Sequence, residues 1–181
     1  MTPDVGQFIQ GMCKTMEEVI LPTVGDSFAQ EQAKLIIGTL RFLDTVQDMQ
    51  YPYEAVENEE YRKILRALSE ASLRCERTNV LRSLLDEVKT HLAQEAGLKE
   101  HGPRSYRSLR QSNIVMKRLL CGILRTVEEL PASIDGLVKE FTKQQLRRER
   151  AWMRSLGKDP GTPENLEEVL FGDGEYAKQG R

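Results

Sequence analysis

Apolar positions recur at helical spacing along most of the chain, which indicates α-helices throughout. A first such pattern ends before Pro22. In a second, Ser27 and Gln30 fit a capping box, in which each side chain satisfies a backbone donor at the helix start. We expect this second helix to end at Tyr51-Pro52, because proline disfavours helical backbone in the residue before it.

The region from residue 59 to residue 96 contains no Gly or Pro, yet it does not fit one straight helix. Its two apolar stripes are out of phase at 3.6 residues per turn, so a continuous helix would turn one stripe into solvent. We therefore predict a break between residues 74 and 79, and an end of the next helix at Gly97. The stripes consist of Tyr61, Ile64, Leu65 and Leu68, and of Leu81, Leu84, Leu85, Val88 and Leu92.

The C-terminal part of the chain predicts two more long helices and a short one. Ser105 can cap a helix that Leu130-Pro131 interrupts, and a second pattern then continues to Gly157. Residues 159–163 resemble a hinge, residues 164–170 can form two helical turns, and the remaining residues form a loose tail. We expect one domain over residues 1–158 and a hinge, short helix and flexible tail over residues 159–181.

The predicted fold is all-α: an up-and-down antiparallel helical bundle of five or six helices with a short C-terminal tail. Aromatic residues make up only 6% of the chain, and runs of Val, Ile and Thr are absent, which argues against a sheet. The wide apolar stripes of the second and fifth helices predict a central position for both. Without a signal-peptide pattern or a long apolar run, and with three scattered cysteines, the sequence predicts a cytoplasmic protein with reduced thiols.

The common catalytic and metal-binding motifs do not occur in the sequence. Neither of the two histidines, His91 and His101, stands in a Glu-x-x-His motif, and there is no Cys-x-x-Cys. There is also no Gly-x-Ser-x-Gly elbow and no glycine-rich phosphate loop. The 28 acidic residues leave acid–base catalysis open, but no pair stands out. We therefore predict no catalytic residue, no metal and no cofactor, and favour a protein that is not an enzyme.

Charge is distributed unevenly, and it supplies the only candidate site residues. Residues 99–158 contain 14 Lys or Arg and 6 Asp or Glu, whereas residues 1–98 contain 10 and 16. Such a basic segment can contact phosphate or an acidic partner, although solvated helix faces and intramolecular ion pairs are the commoner explanation. The candidate anion or partner contacts are Arg104, Arg107, Arg110, Arg147, Arg150, Trp152 and Arg154.

Three hypotheses about function follow. The first is a non-enzymatic bundle that acts through protein–protein contact, most simply as a homodimer, because its apolar stripes are wide and its charge is polarised. The second is a bundle that binds an apolar or phosphate-bearing small molecule. The third is nucleic-acid binding through the basic C-terminal helix. No membrane association is expected.

Overall fold

The computed structural model describes residues 4–71, 78–99, 104–155, 161 and 164–172. These residues form an all-α bundle with seven α-helices, which confirms the predicted fold class. The helices are α1 (Val5–Thr15), α2 (Ser27–Val46), α3 (Gln50–Glu70), α4 (Thr78–Lys99), α5 (Tyr106–Thr126), α6 (Ala132–Ser155) and α7 (Leu166–Phe171). A π-helical turn (Met16–Ile20) and two 3₁₀ turns (Leu21–Thr23 and Gln47–Met49) extend or join them.

The structure confirms several predicted helix boundaries. These boundaries could be predicted because they depend on residues close together in the sequence. The out-of-phase stripes are separated, since α3 ends at Glu70 and α4 begins at Thr78. Ser105 caps α5 by accepting a hydrogen bond from the Ser108 amide at 3.2 Å. The interruption at Pro131 falls between α5 and α6.

Three predicted boundaries are wrong. Asp26, not Ser27, caps α2, because its carboxylate accepts a hydrogen bond from the Ala29 amide at 2.8 Å. Pro52 does not end a helix: α2 ends earlier, at a 3₁₀ turn, and Pro52 lies in the first turn of α3, where its missing N–H has no intrahelical partner to lose. Gly97 lies inside α4, which continues to Lys99.

The main core lies among α3, α4, α5 and α6. Its most buried side chains come from facing positions of these helices and exclude water almost completely. They include Tyr61, Leu65, Leu68, Val88, Met116, Leu119 and Ile123. The prediction that the second and fifth helices are both central is correct for α5 and wrong for α2, whose Leu35 is 63% exposed and Ile36 is 50% exposed.

The short C-terminal helix α7 packs on the bundle. Asn165 forms a complete capping box with Glu168 at its start, and Leu166 and Leu170 are buried against Ala151 of α6 and residues of α3. Of the predicted hinge, residues 159–163, Gly161 is described. The other four hinge residues and the tail from residue 173 lie outside the described residues.

Candidate functional site

The helices α1 and α2 form an antiparallel hairpin that stands apart from the main core. Gln10 donates a hydrogen bond to the Asp44 carboxylate at 3.2 Å, and Arg41 pairs with Glu17 at 2.5 Å. Small and medium side chains fill the seam between the two helices: Ile9, Cys13, Ala33 and Ile37 are buried. The two helices thus pack through a narrow apolar seam, with a hydrogen bond and an ion pair at its edges.

Most of the exposed large hydrophobic side chains belong to this hairpin and the turns that join its helices. Among the described residues, fourteen such side chains are exposed, and nine of them lie between residues 5 and 43. They are Val5, Phe8, Met12, Val19, Ile20, Phe28, Leu35, Ile36 and Leu43. This concentration is unlike the scattered exposed apolar residues of an ordinary surface, and contiguous apolar patches mark interaction sites.

Helical geometry places several of these side chains on one face of the hairpin. At about 100° per residue, Phe8 and Met12 are rotated by roughly 90° from the residues of α1 that face α2. Ile36 and Leu43 are rotated in the same sense on α2, and in an antiparallel pair this brings both sets to the same side. We call this surface, made of Val5, Phe8, Met12, Ile36 and Leu43, the hairpin face.

The opposite side of the hairpin is charged. The exposed ion pairs within α1 and its extension (Lys14 with Glu18, at 4.0 Å) and within α2 (Lys34 with Glu31, at 2.8 Å) are rotated in the other sense from the seam. One side of the hairpin therefore carries exposed charged side chains, while the other presents apolar side chains to water.

A groove adjoins the hairpin face where α2 ends. It has a volume of about 590 Å³ and lies between the end of α2, the first turns of α3 and α5, and the end of α6. Its aromatic lining consists of Phe42, Tyr53, Tyr106 and Trp152. The Trp152 ring packs edge-to-face against Tyr53, at 5.3 Å between centroids, and against Phe42, at 6.1 Å. We call this the aromatic groove; Leu43 belongs both to its lining and to the hairpin face.

Charged side chains line the same groove. Glu54, Glu149 and Arg110 contribute to its wall. Burial, together with the negative charges of Glu57 and Glu149, raises the pKa of Tyr53 to about 12. Burial and the neighbouring Glu54 charge also raise the pKa of Glu57. Burial is the main cause of both shifts, and neighbouring carboxylates add to it.

A chain of hydrogen bonds runs from Glu54 into the bundle interior. Asn113 donates to the Glu54 carboxylate at 2.7 Å, and Asn58 donates to Asn113 at 2.9 Å and to the Ser112 hydroxyl at 3.3 Å. The Ser112 hydroxyl lies 3.0 Å from His91 Nε2. Asn58, Ser112 and Asn113 are each 4% exposed, so these bonds replace water for groups that would otherwise be costly to bury.

The far end of this network joins α4 to the start of α5. The buried Glu95 carboxylate pairs with Arg104, whose guanidinium also donates to the Ser108 carbonyl oxygen at 3.0 Å and hydroxyl at 3.1 Å. His91 Nε2 lies 3.9 Å from the Glu95 carboxylate. Geometry of this kind orients helices against one another, which is the best-attested role of buried polar groups in bundles.

We expect the stability of the protein to fall on mild acidification because of His91. Burial lowers the pKa of His91; the Glu95 carboxylate opposes this effect, and Arg104 adds to it. The unfolded chain, with an ordinary histidine pKa near 6.5, then binds this proton more readily than the folded chain. The histidine contribution is therefore complete above about pH 6.5 and is lost as pH falls through the lowered folded pKa.

Urea unfolding of the wild type and of His91→Gln across this pH range measures the effect. The wild type should lose more stability than the variant between neutral and mildly acidic pH. Parallel pH profiles for the two proteins would contradict the assignment.

The predicted site residues do not form one cluster. Arg110 and Trp152 meet in the aromatic groove, whereas Arg104 and Arg107 line a separate depression beside His91. Arg147 forms a two-point ion pair with Glu164, at 2.6 Å for each contact, and so ties α6 to the segment before α7. Arg150 and Arg154 lie exposed on α6.

The most buried arginine of α6 was absent from the predicted set. Arg148 is 3% exposed and donates to both carboxylate oxygens of Glu60, at 2.9 and 2.6 Å. Its guanidinium carbon also lies 6.0 Å from the centre of the Tyr53 ring. The sequence did not single out Arg148 because it adjoins Arg147, and a run of arginines on a helix usually marks a solvated face. Only the tertiary contact with α3 distinguishes Arg148 from the exposed arginines of α6.

Within the described ranges, no group of three or more His, Cys, Asp or Glu side chains is arranged to hold a metal ion. Cys13 and Cys121 are free thiols, while Cys75 lies outside the described residues. No helix in the described part of the chain is both long and apolar enough to cross a membrane.

No protein-family model matches the chain, and no curated protein or solved structure is significantly similar to it. The hairpin face and the aromatic groove are therefore the two surfaces that bear on function.

Proposed function

We propose that this protein is a non-enzymatic interaction protein that forms a homodimer through the hairpin face. The observation that carries the proposal is the exposure of Phe8 (60%), Met12 (48%) and Ile36 (50%) on one side of a hairpin whose other side is charged. Leaving this much apolar surface in water is unfavourable, and burial against a partner recovers the hydrophobic free energy.

The dimensions of the hairpin support a second copy as the occupant. The 20 residues of α2 span about 30 Å, and two adjacent helices are about 20 Å wide, so one face covers roughly 600 Å². Two such faces bury roughly 1,200 Å² in total, which reaches the lower end of stable interfaces. Two hairpins packed face to face also form a four-helix arrangement, a common way to close an apolar surface with two-fold symmetry.

The pairing of the basic residues favours this proposal over nucleic-acid binding. Arg104, Arg147 and Arg148 already face carboxylates of the same chain, which reduces the positive charge available to phosphates.

Replacing two residues of the hairpin face with glutamate should dissociate the dimer. In Phe8→Glu/Ile36→Glu, two carboxylates from each chain, four in the dimer, would have to be buried without partners, so the dimer dissociation constant should rise about 100-fold or more. Sedimentation velocity over a protein concentration series measures the constant, and far-UV circular dichroism checks that the helices persist.

The matched control is Ile114→Glu/Leu146→Glu. It introduces the same charges at two apolar side chains that are each 55% exposed but lie on α5 and α6. We expect it to remain dimeric. A wild-type protein that stays monomeric at every concentration, or a control that dissociates as readily as the hairpin variant, would refute the proposal.

A further inference from the structure

We propose that the aromatic groove binds a small organic cation, a quaternary or alkyl-substituted ammonium with an apolar body. Its aromatic side chains support such a ligand. Tyr53 and Phe42 stand at 70° and 79° to the plane of Trp152, so each ring meets Trp152 edge-to-face and does not stack on it. Clustered aromatic rings are how proteins bind substituted ammonium groups, with tryptophan the most favourable face for a cation.

The charges in the groove favour a cation over an anion. Two carboxylates, Glu54 and Glu149, line it against one arginine, Arg110. The guanidinium of Arg148, 6.0 Å from the centre of the Tyr53 ring, is paired with Glu60 through two contacts. A phosphate or carboxylate bound at Arg110 would face both acidic side chains, whereas an ammonium would be attracted by them.

The remaining lining suits the apolar body of such a ligand. Val46 is 1% exposed and forms part of the wall, while Leu43 and Met153 are partly accessible at its edge. A methionine adapts its shape to irregular groups, and the volume of about 590 Å³ falls within the range of small-molecule sites. Methyl or methylene groups on nitrogen would therefore contact apolar atoms while the charge faces the rings and the carboxylates.

Choline and its uncharged isostere 3,3-dimethylbutan-1-ol test the charge requirement directly. Trp152 is the only tryptophan of the chain, so its fluorescence reports on this groove alone. We expect choline to change the emission saturably and to bind about tenfold more tightly than the isostere at equal ionic strength. Equal affinities for choline and the isostere would mean that the groove binds only apolar groups. Tighter binding of inorganic phosphate or hexanoate would mean that it is an anion site. The absence of a saturable change with choline would mean that the groove does not bind such cations. Each of these three results overturns the proposal.

Substitution of Glu149 tests whether the carboxylates take part. Glu149→Gln should weaken choline binding about threefold to fivefold and leave the isostere unaffected, because only the cation loses an attractive charge. Glu140→Gln is the control, since Glu140 is an exposed residue of the same helix that does not line the groove. Equal weakening by both variants, or none by Glu149→Gln, would contradict the proposed role of the groove carboxylates.

Cation binding and dimerisation can be tested separately. Neither Phe8 nor Ile36 lines the groove, so Phe8→Glu/Ile36→Glu should keep the choline affinity of the wild type even as it dissociates. Loss of binding in that variant, with its helices intact, would place the cation site at the dimer interface and overturn the assignment to the groove of a single chain.

Discussion

Replacing Leu65 with alanine is expected to lower the free energy of unfolding by about 3–5 kcal/mol. Leu65 is 0% exposed and lies in the core that α3, α5 and α6 share with α4. Truncation removes buried methyl groups and leaves a cavity that the surrounding helices can close only in part. Urea denaturation at one fixed protein concentration measures the loss and keeps any contribution from self-association constant.

Leu146→Ala provides the control, because it makes the same chemical change on α6 at a side chain that is 55% exposed. It should change stability by less than about 0.5 kcal/mol. If the two variants cost the same, the four-helix core would not be packed as described.

Replacing Glu60 with alanine is expected to destabilise the protein by about 3 kcal/mol. The reason is the partner that remains: Arg148 is 3% exposed, and its Nε atom already lacks a hydrogen-bond acceptor. Without the Glu60 carboxylate, a buried guanidinium would lose both of its close contacts. Thermal or urea unfolding of Glu60→Ala, beside the exposed Glu70→Ala on the same helix, measures the difference.

A paired replacement separates the cost of an orphaned charge from the net value of the ion pair. Glu60→Leu/Arg148→Met should recover most of the stability that Glu60→Ala loses, because no unpaired charge would remain buried. A double variant as unstable as Glu60→Ala would mean that the ion pair itself holds α3 against α6.

The proposed dimer interface and the proposed cation site share a residue. Leu43 belongs both to the hairpin face and to the aromatic groove. Glu54 belongs to the groove and also begins the hydrogen-bonded chain that reaches His91. A ligand in the groove would therefore contact elements that also hold α3, α4 and α5 in register.

Local patterns along the chain were sufficient to predict the helical class and several helix ends. The phase change before Leu81 predicts the break before α4, and Ser105 predicts the start of α5, because both depend on residues within a turn or two of each other. The error at Pro52 has the same origin. A proline before an apolar run is compatible with the end of one helix or the first turn of the next, and the choice depends on how the flanking helices pack.

The candidate site could be predicted only in fragments. Arg110 and Trp152 were among the predicted residues, but Phe42, Tyr53 and Glu54 complete the groove from helices distant in sequence. Asn58 and Asn113 are 55 residues apart, and Gln145 reaches Tyr61 across 84 residues. Spacing along a helix identifies neighbours within that helix, whereas such partners are set by how helices pack against one another.

The clearest contrast is between α2 and α3. Both carry apolar stripes in the sequence, yet Leu65 is fully buried while Ile36 is 50% exposed. Hydrophobic periodicity establishes that a helix has an apolar side, because the side chains repeat every 3.6 residues. Whether that side is covered depends on the number and placement of the other helices. The four helices α3–α6 close around one core, which leaves one side of the α1–α2 hairpin in contact with water.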